Sequence, residues 1–234
     1  MRIIEKDEIG SIHIVGENTD TLPMWSINYY IQQFCNNYAK VIIIRRICEL
    51  AQEGATDYQF LVAKKSASIF PTKSIEETFK YEEDRYLIIT SKEQNPDKFW
   101  KTIMSYSRPM VFFKDRDKVI PLYDFYYEEA IKLTDLSYHC PIQIDFQGMI
   151  DGMIDLVQAS SNHEMAQEEH INRQIGVAAD NTERICRAAQ TINDPRTPEG
   201  IKEYANRSLQ GLLTKQEQLN RKLGARLDRV DRRV

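Results

Sequence analysis

The chain has 234 residues, 42% hydrophobic and 28% charged, with a net charge of −4. That balance is ordinary for a folded globular protein and excludes wholesale disorder. The charge is uneven: residues 196–234 hold ten Lys/Arg against five Asp/Glu, so a basic C-terminal end offers a contact for a polyanion or for an acidic patch on a partner.

In chain order, Ser11–Val15 reads as a short strand, followed by a turn over residues 16–20. From Met24 to Gln52, apolar residues at Ile27, Ile31, Phe34, Tyr38, Val41, Ile42 and Leu50 recur at helical spacing. Gly54 is a fitting stop, since glycine accepts the left-handed end of a helix. Tyr58–Ala63 reads as a strand. Ser74 with Glu77 has the form of a capping box opening a short helix. Tyr86–Thr90, aromatic and β-branched between charges, is the clearest strand in the chain. Pro96 opens a helix through Phe99, Trp100, Ile103 and Met104. Pro109–Phe113 is a further strand, with Val119 and Ile120 pairing back across a charged turn. Asp124 caps an expected helix carrying Tyr127, Ile131 and Leu133. Pro141–Phe146 alternates strictly, placing Ile142, Ile144 and Phe146 on one face.

Beyond Phe146 the strand pattern stops. Ile171, Ile175, Ala178, Thr182, Ile185, Ala189 and Ile192 recur at steps of three and four. After the break Asn193–Gly200 the pattern resumes at Leu209, Leu213, Leu223, Leu227 and Val230, with Gln216 and Asn220 in the missing steps. Asp194-Pro195 stops a helix and Thr197-Pro198-Glu199 starts one. The expected fold is therefore an α+β or α/β domain over 1–145, followed by an all-helical hairpin of long antiparallel helices over 146–234. A hairpin with small residues in its seam is marginal alone. Ile171, Ile175, Ile185, Ile192, Leu213, Leu223 and Leu227 are then the candidate oligomer seam, as in a coiled coil. Gly148-x-x-x-Gly152 fits a helix packed closely on the preceding sheet.

Chemical signatures are sparse. His163, Gln167 and His170 lack the spacings of zinc or di-iron helices. Asp145, Asp151 and Asp155, with Lys64, Lys65 and Asp57 upstream, offer a loose carboxylate set for Mg²⁺-dependent phosphoryl chemistry. His139 and Cys140 are adjacent, so on a strand they point to opposite faces; His13 would have to approach from elsewhere. No serine elbow and no phosphate-binding glycine loop occurs, so no cofactor, no metal and no catalytic residue is assigned. Tyr29, Tyr30, Tyr123, Phe125, Tyr126 and Tyr127 form two aromatic groups that fit core or interface roles. Cys35, Cys48, Cys140 and Cys186 form no paired ligand spacing and read as free thiols of a reducing compartment. Met1–Asp7 lacks the apolar core of a signal peptide, and no run approaches the ~20 apolar residues of a membrane span. A cytoplasmic location is expected.

The sequence thus points to a non-catalytic interaction or assembly protein, with a homo-oligomer or a larger protein as partner. The alternative is nucleic-acid contact through Arg221, Lys222, Arg226, Arg229, Arg232 and Arg233, whose binding would weaken steeply with salt. A metal-dependent phosphoesterase or nuclease is the third reading.

Overall fold

A computed structural model of the chain describes residues 8–17, 22–69, 86–88, 96–116, 118–125, 130–138, 141–159 and 186–232. The first sheet has the order β6-β7-β1-β8, with β1 at Ile9–Gly16, β6 at Lys132–Ser137, β7 at Ile142–Met149 and β8 at Ala225–Arg232. The second has the order β3-β2-β4-β5, from Tyr86–Ile88, Phe60–Ser66, Pro109–Asp115 and Lys118–Pro121 respectively. Every pairing in both sheets is antiparallel.

Helix α1, Met24–Gln52, is the axis of the core. Every residue from Asn36 to Cys48 is buried, so in its middle the helix is covered on all sides. Ile12, Ile14, Ile142, Ile144 and Phe146 of the first sheet join one continuous cluster with Ile27, Phe34, Tyr38 and Ile42 of α1. Phe60, Val62, Val111 and Phe113 of the second sheet belong to the same cluster, while Leu61, Ala63 and Phe112 form a small separate one on the opposite face. The buried cations of α1 are held by polar atoms: Lys40 donates to the Met104 carbonyl at 2.9 Å, Arg46 to the Leu122 carbonyl at 2.7 Å, and Arg45 pairs with Glu49 at 3.1 Å. Burial, reinforced by nearby Lys215, brings the Lys40 ammonium down to about 8. The helix gives way at Glu53 to Gly54, whose φ of +96° is readily reached only by glycine.

Among the described residues, four shorter helices follow: α2 (Pro96–Ser105), α3 (Ile150–Val157), α4 (Arg187–Asn193) and α5 (Glu199–Leu223). Gly148 and Gly152 both face α1. A Cβ on Gly148 would meet the Tyr38 hydroxyl at 2.9 Å, and one on Gly152 would meet Ile42 at 2.7 Å. The paired glycines therefore admit α1 itself, and the Met149 N–H donates to the Tyr38 hydroxyl at 2.7 Å.

The expected all-helical hairpin of long helices is not formed. Among the described residues after Met149, only α5, with 25 residues, is long; α4 has seven, and the described chain closes on a strand. Two physical details account for the difference. Gly224 adopts φ +63°, ψ +35° and ends α5, although Leu227 and Val230 continue the helical spacing. Beyond it, β8 carries a bulge: His13 pairs with Arg229 but Ile14 with Leu227. The extra residue, Asp228, lets Leu227 and Val230 both pack against the core at a spacing of three, which mimics a helix. The boundary expected after residue 145 falls inside β7, and β8 hydrogen-bonds to β1 across the expected division.

The inward face of α5 lies where the periodicity placed it: Leu209, Leu213, Gln216, Asn220 and Leu223 are all buried. They meet α1 and α3. Asn37 donates to Gln216 at 2.9 Å, Gln216 to Asn220 at 3.0 Å, and the Tyr30 hydroxyl to Asn220 at 3.1 Å. The Asn220 amide then donates to the carbonyls of Leu156 and Val157 at the end of α3. The helix expected from Asp124 is also corrected, because Leu133 lies in strand β6. The capping box at Ser74, and Tyr127, fall outside the described residues.

Candidate functional site

A connected polar group sits on the outward face of the first sheet. Alternation along β1 sends Ile12 and Ile14 inward and His13 outward, opposite Asp145 of β7 and Arg229 of β8. His13 Nδ1 lies 2.8 Å from Asp145 Oδ1, and Nε2 lies 2.8 Å from Asp231 Oδ2. Arg229 reaches both, at 3.0 Å from His13 Nε2 and 3.1 Å from Asp231. Asp135 of β6 is opposite Asp145 in register. The hydrogen bond from His13, with Arg229 beside it, holds the Asp231 carboxyl below its ordinary range. Both imidazole nitrogens are engaged. A general base needs one of them aimed at a substrate, so this arrangement ties three strands together rather than presenting a reactive atom.

The carboxylates of the phosphoesterase reading do not meet at one point. Asp145 is taken by His13. Asp151 pairs with Arg187 at 2.6 Å. Asp155 is buried and accepts from the backbone N–H of Arg187 at 3.1 Å and of Ala188 at 3.2 Å, closing the start of α4. Burial outweighs these donors and raises its carboxyl to about 6. The neighbouring Cys186 thiol is pushed up by burial and by Asp155. Among the described residues no group of three or more His, Cys, Asp or Glu side chains is arranged to hold a metal ion. Lys64 and Lys65 are exposed at the end of β2. His139, Cys140, His163, Gln167 and His170 lie outside the described residues.

Of the basic set, Arg221, Arg226, Arg229 and Arg232 each meet an acid: Glu217, Glu17, Asp231 and Glu8 respectively. Lys222 is exposed and Arg233 lies outside the described residues. Of the seam set, Ile192, Leu213 and Leu223 are buried within the chain's own core and Leu227 packs against it. Ile171, Ile175 and Ile185 lie outside the described residues.

A different surface stands out at the start of α1. Met24, Trp25, Asn28, Tyr29 and Gln32 are exposed, while Ile27 and Tyr30 between them and Phe34 just beyond are buried. Trp25 is 75% exposed and Tyr29 54%, both large for such side chains in a folded protein. Trp25, Asn28, Tyr29 and Gln32 fall at i, i+3, i+4 and i+7, so they line one stripe. No charged residue occurs between Asp20 and Lys40. Of the two aromatic groups, Tyr30 and Tyr123 are core, Phe125 is half-buried, and Tyr126 and Tyr127 lie outside the described residues. The stripe had a signal in the sequence. Once Ile27, Ile31 and Phe34 are assigned inward, Trp25 and Tyr29 must share the other side.

No helix among the described residues is long and apolar enough to cross a membrane. No protein-family model, curated protein or solved structure matches the chain.

Proposed function

We propose that this chain is a non-catalytic interaction protein that docks an uncharged protein surface on the Trp25–Gln32 stripe of α1. The observation that carries the reading is the exposure of Trp25 and Tyr29 one helical turn apart, in a stretch with no charge from residue 21 to 39. Trp and Tyr dominate the energetics of protein interfaces, because each buries a large rigid area at low entropic cost. Charged residues are depleted at interface centres, as they are here. The polar group around His13 closes on itself, and the paired arginines of α5 and β8 leave the polyanion reading with little free charge on that strand.

The test is photo-crosslinking in cells, with a benzophenone amino acid at Tyr29 and, as control, at the exposed Lys132 of β6. A discrete adduct from position 29 and none from position 132 is expected. No adduct from position 29 under any growth condition would remove this reading.

A further inference from the structure

Resting on that reading, we infer that the occupant of the stripe is a second copy of this chain, packed antiparallel about a two-fold axis between Asn28 and Tyr29. An isologous contact sets each surface against itself, so a charged patch repels its copy and an uncharged one does not. The chain carries a net charge of −4, yet this stripe has none. The spacing is also self-complementary. Antiparallel packing about that axis sets Trp25 against Gln32 of the second copy, and Asn28 against its Tyr29. Each ring then meets a side-chain amide, which packs flat on an aromatic face and supplies donors and acceptors for the Tyr29 hydroxyl.

The contact is small. Seven helical steps span about 10 Å, so the four side chains of this stripe cover far less than the ~800 Å² per partner of a standard stable interface. The dimer is therefore weak and reversible, dissociating in the range of roughly 10 μM to 1 mM. Its centre lies on exposed side chains, so substitutions there leave the core intact.

The experiment is sedimentation equilibrium on the full chain up to millimolar concentration, with Asn28→Glu and Asn28→Lys. Across the axis each variant places two like charges close together, so each alone is expected to weaken the dimer at least tenfold. Mixed one to one, the two variants are expected to recover a heterodimer at least as tight as the parent, with unchanged melting temperatures throughout. Trp25→Ala is expected to weaken the dimer at least tenfold.

A parent chain that stays monomeric overturns the inference, as does a dimer indifferent to all three substitutions or one whose charge variants fail to rescue each other. The crosslinking separates these failures from failure of the interaction reading. A monomer whose Tyr29 adduct has the mass of some other protein sinks the second copy alone, and a monomer with no adduct sinks both. Cosedimentation with phosphatidylcholine or phosphatidylserine vesicles, lost in Trp25→Ala, would identify a membrane surface and also overturn both.

Discussion

Helix α1 meets its two main neighbours in different ways. Toward the first sheet the contact is mostly apolar: Ile27, Phe34 and Ile42 have no exposed surface, and Phe34 stacks on Phe146 with ring centroids 4.7 Å apart, beside the hydrogen bond from the Met149 N–H to the Tyr38 hydroxyl. Toward α5 the buried leucines Leu209, Leu213 and Leu223 are accompanied by a run of amides, through Asn37, Gln216, Asn220 and the Tyr30 hydroxyl. Apolar contact scales with area and has no direction, so it resists separation more than it resists sliding. The amide ladder closes at one register alone, because a slip by one residue strands buried donors and acceptors. The sheet side of the helix is thus weighted toward undirected stability and the α5 side toward a fixed position.

The largest effect should come from the apolar side. Phe34→Ala removes a fully buried ring and is expected to cost about 3–5 kcal/mol in urea unfolding. A loss smaller than that of any amide variant would reverse the comparison. On the helical side, the largest effect concerns a buried charge. Asp155 has its carboxyl raised to about 6 in the fold, mainly by burial. The folded chain therefore binds this proton more tightly than the unfolded chain, for which the ordinary value is near 4. Below about pH 4 both states hold the proton. Between about 4 and 6 only the folded state does, so stability falls as pH rises through that window, by up to about 3 kcal/mol, and levels off above it. Unfolding measured at pH 4 and pH 7 should show that slope in the parent chain and a shallower one in Asp155→Asn. Equal slopes would mean that folding leaves the proton affinity of Asp155 unchanged.

The ladder itself comes next. Gln216→Leu leaves the Asn37 amide without its acceptor and is expected to cost about 1–3 kcal/mol. Adding Asn37→Leu removes the stranded group, so the double variant should lose less than the sum of the two single ones. Strict additivity would mean the two amides do not act as a pair.

These effects fall on features that were unequally legible in the sequence. The bounds of α1, the start of α2 at Pro96 and the return of β5 along β4 follow from local rules of spacing and turn chemistry. The buried face of α5 was legible too, Gln216 and Asn220 included, because helical period depends on the helix alone. Its partner was not: the same stripe can face a second hairpin helix or, as here, α1 and α3, and that choice rests on contacts between residues far apart in the chain. The group around His13 was hidden for the same reason. His13, Asp145 and Asp231 are brought together by the pairing of β1 with β7 and β8, and the bulge at Asp228 gave β8 the spacing of a helix.

The smallest expected effect tests where the positioning side of α1 ends. Gly224 closes α5 in the left-handed region at φ +63°, and its carbonyl accepts from the Glu17 N–H at 3.2 Å as the chain turns into β8. A side chain there meets its own backbone, so Gly224→Ala is expected to cost about 1 kcal/mol, and Gly224→Asn less, since asparagine tolerates this conformation better. The ladder holds α5 at Gln216 and Asn220, one to two turns before this cap. If the ladder alone fixes the register of α5, hydrogen exchange in Gly224→Ala should quicken over residues 225–232 and stay unchanged over residues 212–220. Quickening across both would mean that the turn into β8, as much as the amides, holds α5 against α1.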